Sequence, residues 1–208
     1  MTTVIFIRHA ETTARPDVLL GRNNEVGLSS RGFERANRLA QYLKGLPIHG
    51  LWSSPLSRAV QTASPIAEQL ATPIQLAESL NELDYGRWTG CSFSELGSHP
   101  DWRTFNLQRD RAQIPGGESI LAVEQRVVEQ VRRWTREYEG KCIVAVTHAE
   151  IIRIAVLREF GLSSNCYDRI EINPCSVTIM RWEAARARMI CLNGSADFNF
   201  NSLGIERR

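Results

Sequence analysis

Two histidines stand where short apolar runs stop, each among polar or cationic neighbours. Val4-Ile5-Phe6-Ile7 gives way to Arg8-His9-Ala10-Glu11-Thr12, and Ile143-Val144-Ala145-Val146 gives way to Thr147-His148-Ala149-Glu150. A third run, Leu51-Trp52, gives way to Ser53-Ser54-Pro55-Leu56-Ser57-Arg58. A neutral imidazole can attack phosphorus, and a guanidinium can bond phosphate oxygens in pairs. Two His and two Arg converging on one edge would therefore make a pocket for a phosphoryl group. Taken singly, each residue has a plainer account. Arg8-His9 could decorate a surface, Arg58 could make surface ion pairs, and His148 could be a hydrogen-bonded core histidine. Three such sets, each closing a strand-like run, argue for the pocket.

Positioning them requires an α/β framework. Short apolar runs alternate with longer amphipathic stretches, which predicts a three-layer α/β/α sandwich with a mostly parallel central sheet. Strands are expected at Val4–Ile7, Gly50–Trp52, Ile74–Leu76 and Cys142–Thr147, the last the most β-branched. A helix over Ser29–Leu43 would bury Phe33, Ala36, Leu39, Ala40 and Leu43. A second, Arg58–Leu70, would be kinked or restarted at Pro65. Ser119–Glu139 would bury Ile120, Val123, Val127, Val131 and Trp134, and a further helix would span Ile151–Phe160. Gly86, Gly90, Gly97, Pro100, Pro115, Gly116 and Gly117 punctuate a small lid excursion of about 84–117. Residues 168–193 suggest two or three β segments, and the tail from Asn193 has no assignment. In open α/β sheets, ligands bind at the carboxyl ends of strands, beside helix N-termini that favour anions.

Composition narrows the partners. The chain has 208 residues, read as a single domain over 1–208, with 25 Lys plus Arg against 23 Asp plus Glu. That near-neutral balance argues against nucleic acid bound by bulk charge. Lysine occurs only at Lys44 and Lys141, so an arginine informs by position rather than by presence. Five scattered cysteines without a C-x-x-C pair, and no expected leader, read as reduced thiols in a cytoplasmic protein. No stretch approaches membrane length. His49 and His99 stand alone and read as loop residues, so no metal site is expected. The sequence leaves a homodimer open.

The motifs resemble those of the histidine phosphatase superfamily, also called phosphoglycerate mutase-like. Arg8-His9-x-Glu11-Thr12 matches its N-terminal signature. Ser53-Ser54-Pro55-Leu56-Ser57-Arg58-Ala59-x-Gln61-Thr62-Ala63 is similar to its second motif. Leu80-Asn81-Glu82-Leu83-Asp84-Tyr85-Gly86-x-Trp88-x-Gly90 resembles the segment that supplies its acid. Pro115-Gly116-Gly117-Glu118-Ser119 and Val146-Thr147-His148 complete the set, from Val4 to about Trp182. The resemblance implies that His9 is the nucleophile and forms a phosphohistidine. It implies that Arg8, Arg58 and His148 hold the phosphoryl oxygens, and that Glu82 protonates the leaving oxygen and then activates water. No cofactor or metal enters this scheme.

Several positions depart from the family pattern. Ala10 and Ala149 replace glycines, which matters if either site needs positive φ. Arg15 stands where Asn commonly reaches the phosphate; it either takes over as a charged donor or points to solvent. Glu150 stands where a second Gly is frequent, beside a cationic pocket. Gly21-Arg22 resembles a substrate-facing loop, making Arg22 and Arg15, with Ala149, the substrate-binding candidates. Trp88, Trp102, Phe105 and Arg109 select substrate or pack the lid, packing being favoured for the aromatics. Family mutases carry a longer insertion after the acid segment, whereas here 24 residues separate Gly90 from Pro115. The expected activity is hydrolysis of a small phosphorylated metabolite. Mutase-type phosphoryl transfer and a non-catalytic phosphate-binding regulator are the alternatives.

Overall fold

The computed structural model describes residues 1–183 and 186–195; the chain from 196 onward, most of the unassigned tail, lies outside them. Strands β1 (Thr2–Arg8), β2 (Ile48–Ser53), β3 (Ile74–Leu76), β4 (Cys142–Thr147), β5 (Val177–Glu183) and β6 (Arg186–Gly194) form one sheet, ordered β3-β2-β4-β1-β5-β6. The first four run parallel, while β5 pairs antiparallel with β1 and β6 with β5. The two terminal strands are the β segments expected in 168–193.

β1 explains why the sheet needs cover on both sides. Its run is apolar at every position, so alternate side chains enter opposite layers. Val4 and Phe6 pack with α5 (Ile120–Glu137) and α6 (Ala149–Glu159), whereas Ile5 and Ile7 pack with α1 (Ser30–Leu43) and α2 (Ser57–Leu70). Ser29 caps α1 through the Gly32 N–H, and Ser119 caps α5 through the Ala122 N–H, each satisfying an otherwise free donor. The excursion holds two short helices, α3 (Phe93–Gly97) and α4 (Pro100–Leu107), with no sheet strand.

Three expectations change. Phe33 is 43% exposed, and the buried Gly32 beside it packs against the Glu11 backbone just past β1. The reason is proximity: a Cβ on residue 32 would lie 2.1 Å from the Glu11 carbonyl oxygen, so the helix docks there on a glycine. α2 does not restart at Pro65 but runs through it. His49 lies exposed on β2 rather than in a loop.

The register gathers the polar strand ends. Arg8 of β1 pairs with Thr147 of β4, and Ser53 of β2 pairs with Val146 of β4. All three motifs therefore leave the same edge of three adjacent strands. No helix is long and apolar enough to cross a membrane among the described residues.

Candidate active site

A cavity of about 530 Å³ opens at that edge, lined by Arg8, His9, Arg58, Glu82, Tyr85 and Ala149 among others. Each group reaches it through local backbone bonds. The His9 N–H donates to the Thr147 carbonyl (2.8 Å), continuing the ladder one residue past β1. Thr147 Oγ1 donates to the Leu80 carbonyl (2.6 Å), tying β4 to the segment that carries Glu82. Ala149 begins α6, whose cap residue His148 makes no side-chain cap. The helix thus presents its positive end to the cavity.

His9 is held in one tautomer. Its Nδ1–H donates to the Ala10 carbonyl (2.8 Å), which leaves the Nε2 lone pair free. Burial, then Arg58 and Arg8, push its pKa down to about 3, so the ring is neutral at ordinary pH. Glu82 moves the other way. Burial and the Glu150 charge raise it to about 7 against the opposing pull of Arg58 and Arg8. One Glu82 oxygen accepts from the Leu83 N–H (2.9 Å), and the other lies 3.9 Å from His148 Nδ1.

The arginines are pre-set. Arg58 Nη1 donates to the Asn23 carbonyl (2.9 Å), and its Nη2 to the Gly21 carbonyl (2.7 Å). Arg8 Nη1 donates to the Ile172 carbonyl (2.6 Å). Both guanidiniums keep a buried Nε without a partner among the described residues. Buried unpaired donors are costly unless a ligand supplies the acceptor. Arg58 Nη2 also lies 3.3 Å from His148 Nδ1, and His148 Nε2 lies 2.8 Å from Ser54 Oγ. Ser54 O–H donates to Asn81 Oδ1 (3.1 Å), and Asn81 Nδ2 donates to Glu78 (2.6 Å). These partners assign the His148 proton to Nε2. Burial, His9 and nearby arginines hold that ring neutral, well below its ordinary pKa.

The structure brings Arg8, His9, Arg58, Glu82 and Ala149 onto one cavity, with His148 behind Arg58 and beside Glu82. Arg15 lies at the rim, 76% exposed on its side chain and paired with Asp17 through two bonds of 3.1 and 2.6 Å. Arg22 does not point into the cavity. Its Nε donates to the Glu82 carbonyl (2.9 Å) and its Nη2 to Glu118 (2.7 Å), and it lines a separate pocket behind the acid segment. Its Nη1 lies 3.6 Å from Asp84 Oδ2, so the side chain is turned to the acid segment rather than to the cavity that holds His9. Ala10 and Ala149 both have negative φ, so neither position needs glycine. Trp88 and Phe105 are buried; Trp88 packs edge-on against Trp102 and Phe105, and Phe105 stacks on Trp102, so the lid aromatics are packing residues.

Several residues carry the site without having been singled out as site residues from sequence. Arg126 of α5 donates to the Ser79 carbonyl (2.7 Å), to the Glu82 carbonyl (3.3 Å) and twice to Glu118 (3.1 and 3.2 Å). With Arg22 it holds the Glu82 carbonyl, and Glu118 accepts from the Asp84 N–H (3.2 Å). Glu118 belongs to the Pro115–Ser119 motif, which docks against the acid segment on glycines. A Cβ on Gly86 would lie 2.4 Å from the Pro115 carbonyl oxygen, and one on Gly117 would lie 2.3 Å from that of Asp84. Ser54 and Asn81 stood inside quoted motifs, and the repeated hydroxyls before Pro55 were the signal available for Ser54.

A neutral imidazole, a carboxyl with a raised pKa and two guanidiniums at the carboxyl edge of an α/β/α sheet suit a phosphoryl group. The chain belongs to the histidine phosphatase superfamily (branch 1), whose family model matches residues 4–195. It is 27% identical over 198 residues to phosphoserine phosphatase 1 of Hydrogenobacter thermophilus, covering 93% of this chain and 92% of that one. It is 28% identical over 193 residues to a bifunctional protein of Mycobacterium tuberculosis, covering 92% of this chain and 53% of that protein. The chain thus spans about half the length of the first curated relatives it matches. Among solved structures, a mutant phosphoserine phosphatase from Entamoeba histolytica in complex with phosphoserine superposes with a TM-score of 0.86. That pair is 26% identical and covers 95% of this chain and 98% of the other.

Proposed function

We propose that this chain is a phosphoric monoester hydrolase acting on a small phosphorylated metabolite through a phosphohistidine on His9. The carrying observation is the cavity shared by His9, whose Nε2 lone pair is free, and Glu82, whose pKa is raised to about 7. Nε2 attacks phosphorus, the ester P–O bond breaks, and Glu82 gives its proton to the leaving oxygen. Glu82, now a carboxylate, takes a proton from water as that water attacks phosphorus. The P–N bond breaks and its electron pair returns to Nε2. Arg8 and Arg58 hold the equatorial oxygens with donors already oriented, so little reorganisation accompanies charge transfer. The substrate's negative charge favours protonation of His148, which then becomes a donor from Nδ1. No cofactor carries a step, and a cytoplasmic location suits the five unpaired cysteines.

The test is turnover of p-nitrophenyl phosphate by wild type and His9→Ala, with acid-labile phosphate on His9 trapped by rapid quenching into alkali. Turnover and trapping in wild type, both absent from the variant, are expected. Unchanged activity in His9→Ala rejects the nucleophile. Isomerisation of 3-phosphoglycerate without phosphate release replaces hydrolysis by mutase chemistry, and no turnover by either protein rejects the enzyme.

A further inference from the structure

One corner of the cavity takes no part in the transfer just described. It is formed by Glu150 and Arg153 of α6, with Tyr85 of the acid segment opposite. Glu150 Oε1 accepts from Arg153 Nη1 (2.9 Å), and its Oε2 accepts from Arg109 Nη1. Arg109 is only 3% exposed, with its guanidinium 3.2 Å from the Tyr167 ring centre and 4.4 Å from that of Phe105. Two cations therefore share one carboxylate, and the corner carries a net positive charge. Both Glu150 oxygens are engaged, so that carboxylate is not free to receive a substrate ammonium.

Arg153 is the outward member of the set. Its Nε donates to the Ile170 carbonyl (2.8 Å) and its Nη1 to Glu150, while Nη2 makes no hydrogen bond among the described residues. The Tyr85 hydroxyl is likewise without a hydrogen-bond partner among them. Arg153 follows Ala149 by four residues, so the two share a helix face about 6 Å apart along the axis. Ala149 opens α6 at the phosphoryl site. Two bonds fix the plane of Arg153, which lines the same cavity and lies near enough to Arg8 to help lower that residue's pKa.

We infer that this corner is a second anion subsite, with Arg153 as its specificity-determining residue. Preferred substrates carry a carboxylate or a second phosphoryl group in addition to the transferred phosphate. The inference rests on the phosphomonoesterase reading and names the substrate class that reading leaves open.

Matched esters test it. Phosphoglycolate and ethyl phosphate differ by a carboxylate in place of a methyl group, as do 3-phosphoglycerate and glycerol 1-phosphate by a carboxylate in place of a hydroxymethyl. Propane-1,3-diol bisphosphate against propyl phosphate supplies the phosphoryl arm. In wild type, kcat/KM for the anionic member of at least one pair exceeds that of its neutral counterpart tenfold or more, mainly through KM. The pair that responds identifies the anion. Arg153→Gln brings that ratio close to one, and Arg153→Lys, which keeps the charge, retains part of it. A wild-type ratio near one in every pair overturns the subsite. So does a ratio preserved in Arg153→Gln while both rates fall together. Failure to hydrolyse any ester, p-nitrophenyl phosphate included, overturns the underlying phosphomonoesterase reading instead.

Discussion

Replacing Glu82 by Gln should make the protein more stable above neutrality while removing its acid–base chemistry. The Glu82 side chain is 13% exposed, and in the folded state its pKa rises from the ordinary 4.5 to about 7. Burial is the larger cause and the Glu150 charge the second, with Arg58, the Leu83 N–H and Arg8 pulling back. Between pH 4.5 and 7 the folded chain therefore keeps a proton that the unfolded chain has released. The folded state binds more protons there, so stability falls as pH rises through that window and levels off above it. At 1.36 kcal/mol for each tenfold change, the full cost is about 3 kcal/mol. Glutamine has nearly the same shape, retains an acceptor for the Leu83 N–H and carries no charge.

Urea unfolding of both proteins at pH 4.5, 6, 7 and 8 reads the difference directly. Near-equal stability at pH 4.5 should widen to an advantage of about 2–3 kcal/mol for Glu82→Gln at pH 8. The activity profile supplies an independent reading. Wild-type kcat/KM should fall above about pH 7 as Glu82 loses its proton. In Glu82→Gln that alkaline limb disappears, and the plateau drops by about 10²–10⁴. Parallel stability curves for the two proteins, or an alkaline limb that survives the substitution, would refute the assignment of the raised pKa to Glu82.

Gly86→Ala forces a Cβ to within 2.4 Å of the Pro115 carbonyl oxygen at a φ of +48°, so the acid segment must lift off its partner. Urea midpoints should show a loss of about 2 kcal/mol or more, with kcat reduced because Glu82 moves with the segment. Ser54→Ala leaves the buried His148 Nε2–H without its acceptor, at a cost of about 1–3 kcal/mol in thermal or urea unfolding. Nitrogen NMR of the His148 ring should then show the tautomer shifting, whereas an unchanged ring spectrum would place the serine outside this chain of bonds.

The parts of the site legible in the sequence are those built locally. β1, β2 and β4 are short apolar runs ending in polar motifs, and the parallel register alone brings their ends together. The helices are marked by Ser29 and Ser119 at their starts and by helical spacing of apolar residues. What was not legible depends on long-range pairs. Arg22 reaches Glu118 across 96 positions, and Arg109 reaches Glu150 across 41. With 23 of 25 cations being arginine, nothing in the local sequence separates Arg126 from its neighbours. The Gly21-Arg22 pair suggested a substrate contact because it resembles a substrate-facing loop, yet the Arg22 side chain turns toward the Glu82 carbonyl. Phe33 misled for a related reason: an apolar side chain fits the helical spacing, but the docking contact requires a glycine one residue earlier.

The site's chemistry follows from one physical cause acting on two groups of opposite charge type. Burial penalises whichever form is charged, so it lowers His9 and raises Glu82 together. Arg8 and Arg58 add to the first shift and oppose the second, and in both cases burial is the larger effect. Between about pH 3 and 7 the site consequently holds a neutral imidazole and a neutral carboxylic acid, the protonation states that the proposed nucleophilic attack and leaving-group protonation require. An arriving phosphate dianion offsets the two cations and strengthens the hold of Glu82 on its proton until the ester oxygen takes it. Once that proton has gone, the carboxylate is left beside Arg58 and 3.9 Å from His148 Nδ1. On the proposed mechanism, the cations that lower the Glu82 pKa would then stabilise the carboxylate that activates water. The same arginines thus serve both half-reactions of that mechanism.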